Sequence, residues 1–220
     1  KLLLSSGFSK VNKNIGKGFY THPQFMTLAI YDEVVNAQKG AFQSMKSNDP
    51  DFRINNFKLE NVFAPPVGLA MLIPGFAESH MQYMKKITQM ACIEVAIRDQ
   101  NPGTIKVSSK GKLIIDKHLD TRDLKSKKKG MDAIHNIFNS TGAKKIIDGN
   151  ISIGLHLMGG CSIGSSARKS VIDPEFKMHG VKNIFCADSS IFPNAPGINP
   201  SLTIMALSKM AAEKIIKDIK

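Results

Sequence analysis

The sequence has few cysteines and no long apolar run. Its three cysteines cannot all pair within one chain, and none stands in a C-x-x-C arrangement, which argues against a disulfide framework and a zinc site. The best apolar runs, Val67–Ile73 and Ile151–Met158, contain glycines and are far shorter than the roughly 18 apolar residues of a membrane-spanning helix. We therefore expect no transmembrane segment and no metal, while a hydrophobic content of 42% is enough for a globular core.

Several motifs of nucleotide binding and catalysis are also missing. The only G-x-G is Gly16-Lys17-Gly18, and Thr21 stands where a dinucleotide-binding fingerprint has its third glycine. No P-loop, H-E-x-x-H or G-x-S-x-G occurs in the sequence. These absences argue against a stand-alone Rossmann enzyme.

Positive charge is abundant and unevenly distributed. The formal net charge is +12, and residues 101–150 hold 11 basic residues against 5 acidic ones. The densest run, Lys125–Lys129, has no interleaved aromatic residues on which bases could stack. We interpret it as the solvated face of a helix and expect no nucleic acid partner. The alternative is a basic module that binds nucleic acid or an anionic membrane surface.

Local patterns predict a mixed α+β fold. Ile105–Val107 and Leu113–Ile115 flank a polar turn and predict an antiparallel hairpin. Helical spacing of apolar residues predicts helices over 78–91, 120–140 and 203–219, with Gly142 as the stop signal of the second. Short apolar segments predict further strands over 93–97, 151–155 and 183–187.

The last third of the chain carries the residues best suited to chemistry. His156 follows a predicted strand on a glycine-rich turn, and imidazole can accept a proton near neutral pH. Asn199 stands before a proline and the last predicted helix. Taken alone, His156 would be a hydrogen-bonded structural residue, and Asn199 and Asp188 would be helix or turn caps.

Six blocks in the last third, in a fixed order, resemble the C-terminal signature of the glucose-methanol-choline (GMC) oxidoreductases. They are His156-Leu-Met-Gly-Gly-Cys161, Val171-Ile-Asp-Pro-Glu175, His179-Gly-Val-Lys-Asn-Ile184, Ala187-Asp-Ser-Ser190, Pro196-Gly-Ile-Asn-Pro200 and Thr203-Ile-Met-Ala206. The first and fifth blocks are most similar to the cholesterol-oxidase-like branch. At the start of the chain, Leu2–Gly7 and Asn14–Pro23 resemble the segment that leads out of the family's flavin domain.

The resemblance implies a fold and its domain boundaries. Residues 1–23 would be the tail of an FAD-binding α/β domain, and residues 24–150 a substrate-binding domain with an antiparallel or mixed sheet flanked by helices. Residues 151–220 would be the C-terminal active-site segment that returns to the FAD-binding domain. The N-terminal half of that domain would be absent, so we interpret the chain as a C-terminal fragment, inactive alone, whose partner is that half of the same protein.

The resemblance also implies roles for individual residues. His156 would take the hydroxyl proton of a small-molecule alcohol while hydride passes to FAD, and Asn199 would donate a hydrogen bond to the substrate oxygen. The residues expected to bind the cofactor are Asp188, Ser189, Asn199, Pro200, Ser201 and Leu202. A family member that keeps the fold without activity is the alternative.

Other features of the sequence stay open at this stage. The apolar, methionine-rich segments Val67–Ile73 and Met81–Met90 indicate either a hydrophobic substrate, such as a sterol or long-chain alcohol, or a plain core. Cys161 and Cys186 are expected to be small buried apolar residues, and His22 receives no role. We expect a soluble protein, cytoplasmic rather than exported, with peripheral membrane association as an alternative.

Overall fold

The computed structural model describes residues 1–219, and their contacts divide the chain into two compact units. The first unit comprises Lys1–His22, Asp99–Asp120 and the chain from His156 onward. The second comprises Pro23–Arg98 and Thr121–Leu155. The predicted assignment of residues 24–150 to substrate binding stays a prediction, and by contacts Asp99–Asp120 belong to the first unit.

The described residues form six α-helices and six strands. The helices are α1 (Leu2–Ser5), α2 (Pro50–Ile54), α3 (Pro66–Leu72), α4 (Ala77–Met84), α5 (Thr121–Ser140) and α6 (Ser201–Ile219). The strands are β1 (Lys17–Ile30), β2 (Phe57–Asn61), β3 (Met90–Ile97), β4 (Gly103–Val107), β5 (Leu113–Asp116) and β6 (Lys145–Gly159). None of these helices is both long enough and apolar enough to cross a membrane.

An antiparallel sheet backed by a helix forms the second unit. Strand β3 lies between β2 and β1, with Val95 opposite both Leu59 and Phe25. Helix α5 comes close to this sheet because Gly130 has no side chain, and a Cβ there would lie 2.2 Å from Val95 Cγ2. A core cluster of this unit contains Leu28, Leu69, Leu72, Ile73, Met90 and other apolar residues.

The first unit is built from tight backbone approaches as well as an apolar core. Strands β4 and β5 form a hairpin, and the start of β1 pairs with β4. The end of β6 lies so close to β1 that a Cβ on Gly159 would be 1.9 Å from the carbonyl oxygen of Gly18. Because Gly159 also has a φ of +81°, only glycine suits this position. The core cluster of this unit includes Val171, Ile172, Phe176, Met178, Ile191 and Ala211.

The predicted fold class is confirmed, with two local corrections. The helix predicted over 78–91 is too long, because α4 ends at Met84, and Met90 and Ala91 belong to β3. The structure is α+β with an antiparallel sheet; the hairpin and the helices that end at Ser140 and Ile219 are present, and Gly142 has a φ of +79°. The strand predicted over 183–187 is wrong, because only Phe185 forms an isolated bridge there. The strand predicted over 151–155 exists as part of β6, but its residues are exposed.

Candidate functional site

The candidate base His156 lies on β6 in an unusual backbone conformation. Its φ of +53° places it in the left-handed region, which is uncommon for residues other than glycine. The side chain is half-buried. Strained backbone of this kind concentrates at functional sites, where the surrounding structure holds a side chain in a required direction. Among the residues of β6 other than glycine, His156 is the one with a positive φ.

A second histidine contacts His156 inside the first unit. His22, on β1, is only 1% exposed, and its Nδ1 lies 3.0 Å from Nδ1 of His156. The two rings meet edge to face, with centroids 5.2 Å apart and an interplanar angle of 75°. The two nitrogens are at hydrogen-bond distance, so one ring must donate to the other.

The opposite nitrogen of His22 is bound by the segment that carries Asn199. The backbone N–H of Gly197 donates to His22 Nε2 at 3.1 Å. Asn199 follows two residues later and is exposed, Pro200 is buried, and helix α6 begins at Ser201. His22 thus links His156 to the loop of Asn199, although no role had been predicted for it. Its partners are 134 and 175 positions away, so no local pattern in the sequence could have revealed them.

Two of the other predicted cofactor residues, Asp188 and Ser189, lie in a short loop joined to the same strand. Asp188 is exposed, and its Oδ1 accepts from both the backbone N–H and the hydroxyl of Ser190, at 2.7 and 2.5 Å. Ser189 Oγ donates to the carbonyl of Leu157, the residue after His156. Ser201 and Leu202 form the first turn of α6, and both are exposed.

A cavity of about 360 Å³ lies within the first unit, beside this loop. Its wall includes Asp188 and Ser190, a series of apolar side chains, and the backbone of three glycines. The glycines are Gly16, Gly159 and Gly160. At Gly160, a Cβ would make ordinary van der Waals contact with Ile105 at 3.8 Å, and it is the φ of +91° that favours glycine there. Glycine backbone, a carboxylate that can accept hydrogen bonds and apolar walls are groups that suit part of a dinucleotide cofactor.

Two cysteines line the same cavity. Cys161 and Cys186 are half-buried, not fully buried as expected, and Cys186 Sγ lies 3.0 Å from Ser190 Oγ. Burial raises the pKa of Cys161 to about 11, with a further contribution from Cys186 and Asp188. Burial also raises the pKa of Cys186. Both sulfur atoms are therefore thiols at neutral pH.

The comparisons with known proteins identify the family to which this fold and this site belong. The family model described as GMC oxidoreductase matches residues 99–208, which is half of the chain. The chain therefore belongs to the GMC oxidoreductase family, a family of FAD-dependent enzymes, and FAD is its cofactor.

Individual relatives cover the whole chain at low identity. A GMC-type oxidoreductase of Mycobacterium tuberculosis is 22% identical over 99% of this chain and 38% of its own length. A long-chain-alcohol oxidase of Arabidopsis thaliana is 23% identical over 100% of this chain and 36% of its own length. A solved structure of formate oxidase from Aspergillus oryzae, a study of FAD modification, has a TM-score of 0.65 at 14% identity, covering 92% of this chain and 47% of that one. This chain thus spans little more than a third of the curated relatives it matches.

Proposed function

We propose that the full-length protein is an FAD-dependent oxidoreductase that acts on the CH–OH group of an alcohol, with His156 as the base. The observation that carries this proposal is the buried contact between His22 and His156, together with the bond from Gly197 to His22. These contacts gather the histidine block and the Asn199 block, which are separate in the sequence, around one imidazole. Family membership and relatives that include an alcohol oxidase support the same reaction class.

The cofactor would be held by the Asp188 loop and by the first turn of α6. Asp188 lines the cavity, and the residues from Asn199 to Leu202 precede or begin a helix of 19 residues. The N-terminus of a helix presents backbone N–H groups that favour an electron-rich ligand group. When bound, FAD supplies the acceptor for a hydride.

His156 would accept the hydroxyl proton of the alcohol. Oxidation of a CH–OH group removes a hydride from carbon and a proton from oxygen, which leaves a carbonyl product. The imidazole is the group in this site suited to hold that proton near neutral pH. Asn199 cannot act as a base, but its amide can donate a hydrogen bond to the substrate oxygen and so orient it.

The proposed substrate is a small-molecule alcohol, and a hydrophobic one is supported by relatives that include long-chain-alcohol oxidases. The apolar segments that first indicated a hydrophobic substrate lie only partly in the core, since Val67, Met71 and Met81 are 78%, 63% and 44% exposed. Leu69, Leu72, Ile73 and Met90 are 0–4% exposed within the core of the second unit. Their apolar character is explained by packing, so it does not contribute to the substrate assignment.

The basic run on α5 is explained by local pairing. Lys127 Nζ lies 4.3 Å from the centroid of the Phe25 ring, Lys128 pairs with Asp132, and Lys129 reaches Asn55. Each of these contacts engages a lysine with its own unit. The contacts favour the solvated helix face over a basic binding module.

Replacing His156 tests the proposal. In the full-length, FAD-loaded protein, His156→Ala should lower the rate of flavin reduction by an alcohol about 10²-fold or more, because a positioned base contributes at least that much. Rapid-mixing measurements of flavin absorbance give this rate. His118→Ala is the matched control, since His118 belongs to the same unit and its side chain is 83% exposed. Equal rates in the two variants would disprove the role of His156, and a wild-type protein that no alcohol reduces would indicate an inactive family member.

A further inference from the structure

The hydrogen bond from Gly197 fixes which nitrogen of His22 carries hydrogen. A backbone N–H can only donate, so Nε2 of His22 must accept and bears no hydrogen. A neutral imidazole has one hydrogen, which must then be on Nδ1 of His22. A doubly protonated His22 would direct a second N–H at the N–H of Gly197, so the bond from Gly197 describes a neutral His22 ring.

The hydrogen on His22 Nδ1 in turn fixes His156. The two Nδ1 atoms are 3.0 Å apart, and His22 is the donor, so Nδ1 of His156 must be the acceptor. The single hydrogen of a neutral His156 is then on Nε2. A chain of two bonds that starts at a backbone amide therefore selects one of the two tautomers of His156.

The backbone around His22 is held firmly enough to maintain this selection. The carboxylate of Asp99, which is 2% exposed, accepts a hydrogen bond at 2.9 Å from the backbone N–H of Thr21, the residue before His22. Lys117 pairs with the other oxygen of the same carboxylate at 2.9 Å. A buried charge-assisted bond to the adjacent peptide restricts the position from which the His22 ring projects.

We propose that His22 is a positioning residue that sets the tautomer of His156 through the bond from Gly197. This inference rests on the proposed function, and it adds a condition to it. In the selected tautomer, Nε2–H of His156 donates a hydrogen bond to the alcohol oxygen. The tautomer that can accept a proton at Nε2 carries its hydrogen on Nδ1, which then points at His22.

Formation of the proton-accepting tautomer requires a change at Gly197. With hydrogen on Nδ1 of His156, His22 must accept at Nδ1 and carry its own hydrogen on Nε2. The pair still holds two ring hydrogens, but Nε2 of His22 no longer accepts from Gly197 N–H. Proton uptake by His156 is thus coupled to release of the backbone two residues before Asn199.

The tautomer itself provides the test. In full-length, FAD-loaded, substrate-free protein labelled with ¹⁵N-histidine, NMR should find hydrogen on Nε2 of His156 and on Nδ1 of His22. His22→Phe keeps a ring of similar size without nitrogens and should leave His156 as a mixture of tautomers. His22→Asn offers an amide that either donates or accepts, so it should keep a hydrogen bond without selecting a tautomer. His80→Phe is the control, because His80 bonds a backbone carbonyl in the second unit.

The rate of flavin reduction should change in the same variants in which NMR finds a changed tautomer of His156. Flavin reduction should become faster in His22→Phe, by up to about 10-fold and with a changed pH profile, because the tautomer that accepts a proton at Nε2 no longer requires the bond from Gly197 to break. His22→Asn, which also selects no tautomer, should change the rate in the same direction. Hydrogen on Nδ1 of His156 in the wild type, or an unchanged tautomer in His22→Phe, would overturn the inference. Since the wild-type spectrum needs no variant, a misfolded variant does not prevent the test. Loss of activity in His156→Ala alongside the wrong tautomer would reject only this inference, and full activity in His156→Ala would reject the proposed function.

Discussion

Two groups of titratable side chains, one part-buried in the first unit and one buried in the second, are held in different ways. In the first unit, His22 and His156 share a hydrogen bond whose direction is imposed by a backbone amide. In the second, Glu94 is 1% exposed, lies opposite Glu60 across β2 and β3, and accepts from Gln43 at 3.1 Å. Lys58 Nζ lies 2.5 Å from Glu60, with both side chains less than 10% exposed.

The difference shows what burial demands of neutral and charged groups. Two imidazoles can be buried without charge, so one N–H of known direction is enough to arrange their hydrogens. A carboxylate in the same situation must find a cation or take up a proton. Burial, and next the charge and hydrogen bond of Glu60, raise the pKa of Glu94 to about 7. We therefore expect the histidine pair to affect reactivity and the carboxyl pair to affect stability.

Removal of Lys58 should have the largest effect on stability. Lys58→Met leaves Glu60 buried without its cation, and breaking a buried ion pair typically costs about 3 kcal/mol or more. The loss should be greatest above pH 8 and smaller near pH 5, where Glu94, whose pKa burial raises to about 7, is protonated and no longer adds a negative charge beside Glu60. Denaturant unfolding of the full-length protein, with hydrogen exchange of the β2 and β3 amides, measures it.

The carboxyl pair should also make stability depend on pH. Because the folded-state pKa of Glu94 is raised, its stabilising contribution is complete below the unfolded pKa near 4.5 and is lost as pH rises through about 7. The loss across this window should be about 1–3 kcal/mol. Glu94→Gln should flatten the curve relative to wild type, and parallel curves for the two proteins would contradict a raised pKa.

An exposed ion pair should show the smallest effect. Lys144 and Asp32 lie 3.3 Å apart in the second unit, with side chains 62% and 77% exposed. Lys144→Ala should cost about 0.5 kcal/mol or less, since solvent screens such pairs. The same unfolding experiment serves as the matched control for Lys58→Met. If the two lysine variants were equally stable, burial would not be the cause of the difference.

The sequence predicted best those elements that depend on interactions between residues close together in the chain. Helix α5 and the β4–β5 hairpin depend on neighbours within a few residues, so periodicity and turn residues indicated them. The segment 183–187 has strand-like composition, but a strand needs a partner, and only Phe185 finds one. Composition cannot show whether a partner is in reach.

The sequence could indicate those candidate site residues that stand in contiguous motifs. His156 and Asp188 stand in motifs, and the structure places them on a strand and a loop that share a hydrogen bond through Ser189 and Leu157. His22 stands in the block Asn14–Pro23, to which the resemblance gives no chemical role, and its contact with His156 depends on the folding of β1 beside two distant segments. The residue that links the predicted parts was thus the one that sequence reasoning left without a role.

The two cavity cysteines have a practical consequence for anyone labelling this protein. Thiolate is the species that attacks maleimides and iodoacetamide, and with a pKa of about 11 only about one Cys161 in 10⁴ is ionised at pH 7. A thiol-reactive fluorophore should therefore label an introduced surface cysteine before it labels Cys161 or Cys186. The native sulfhydryls can remain in place as slow reporters of whether the cavity has been filled.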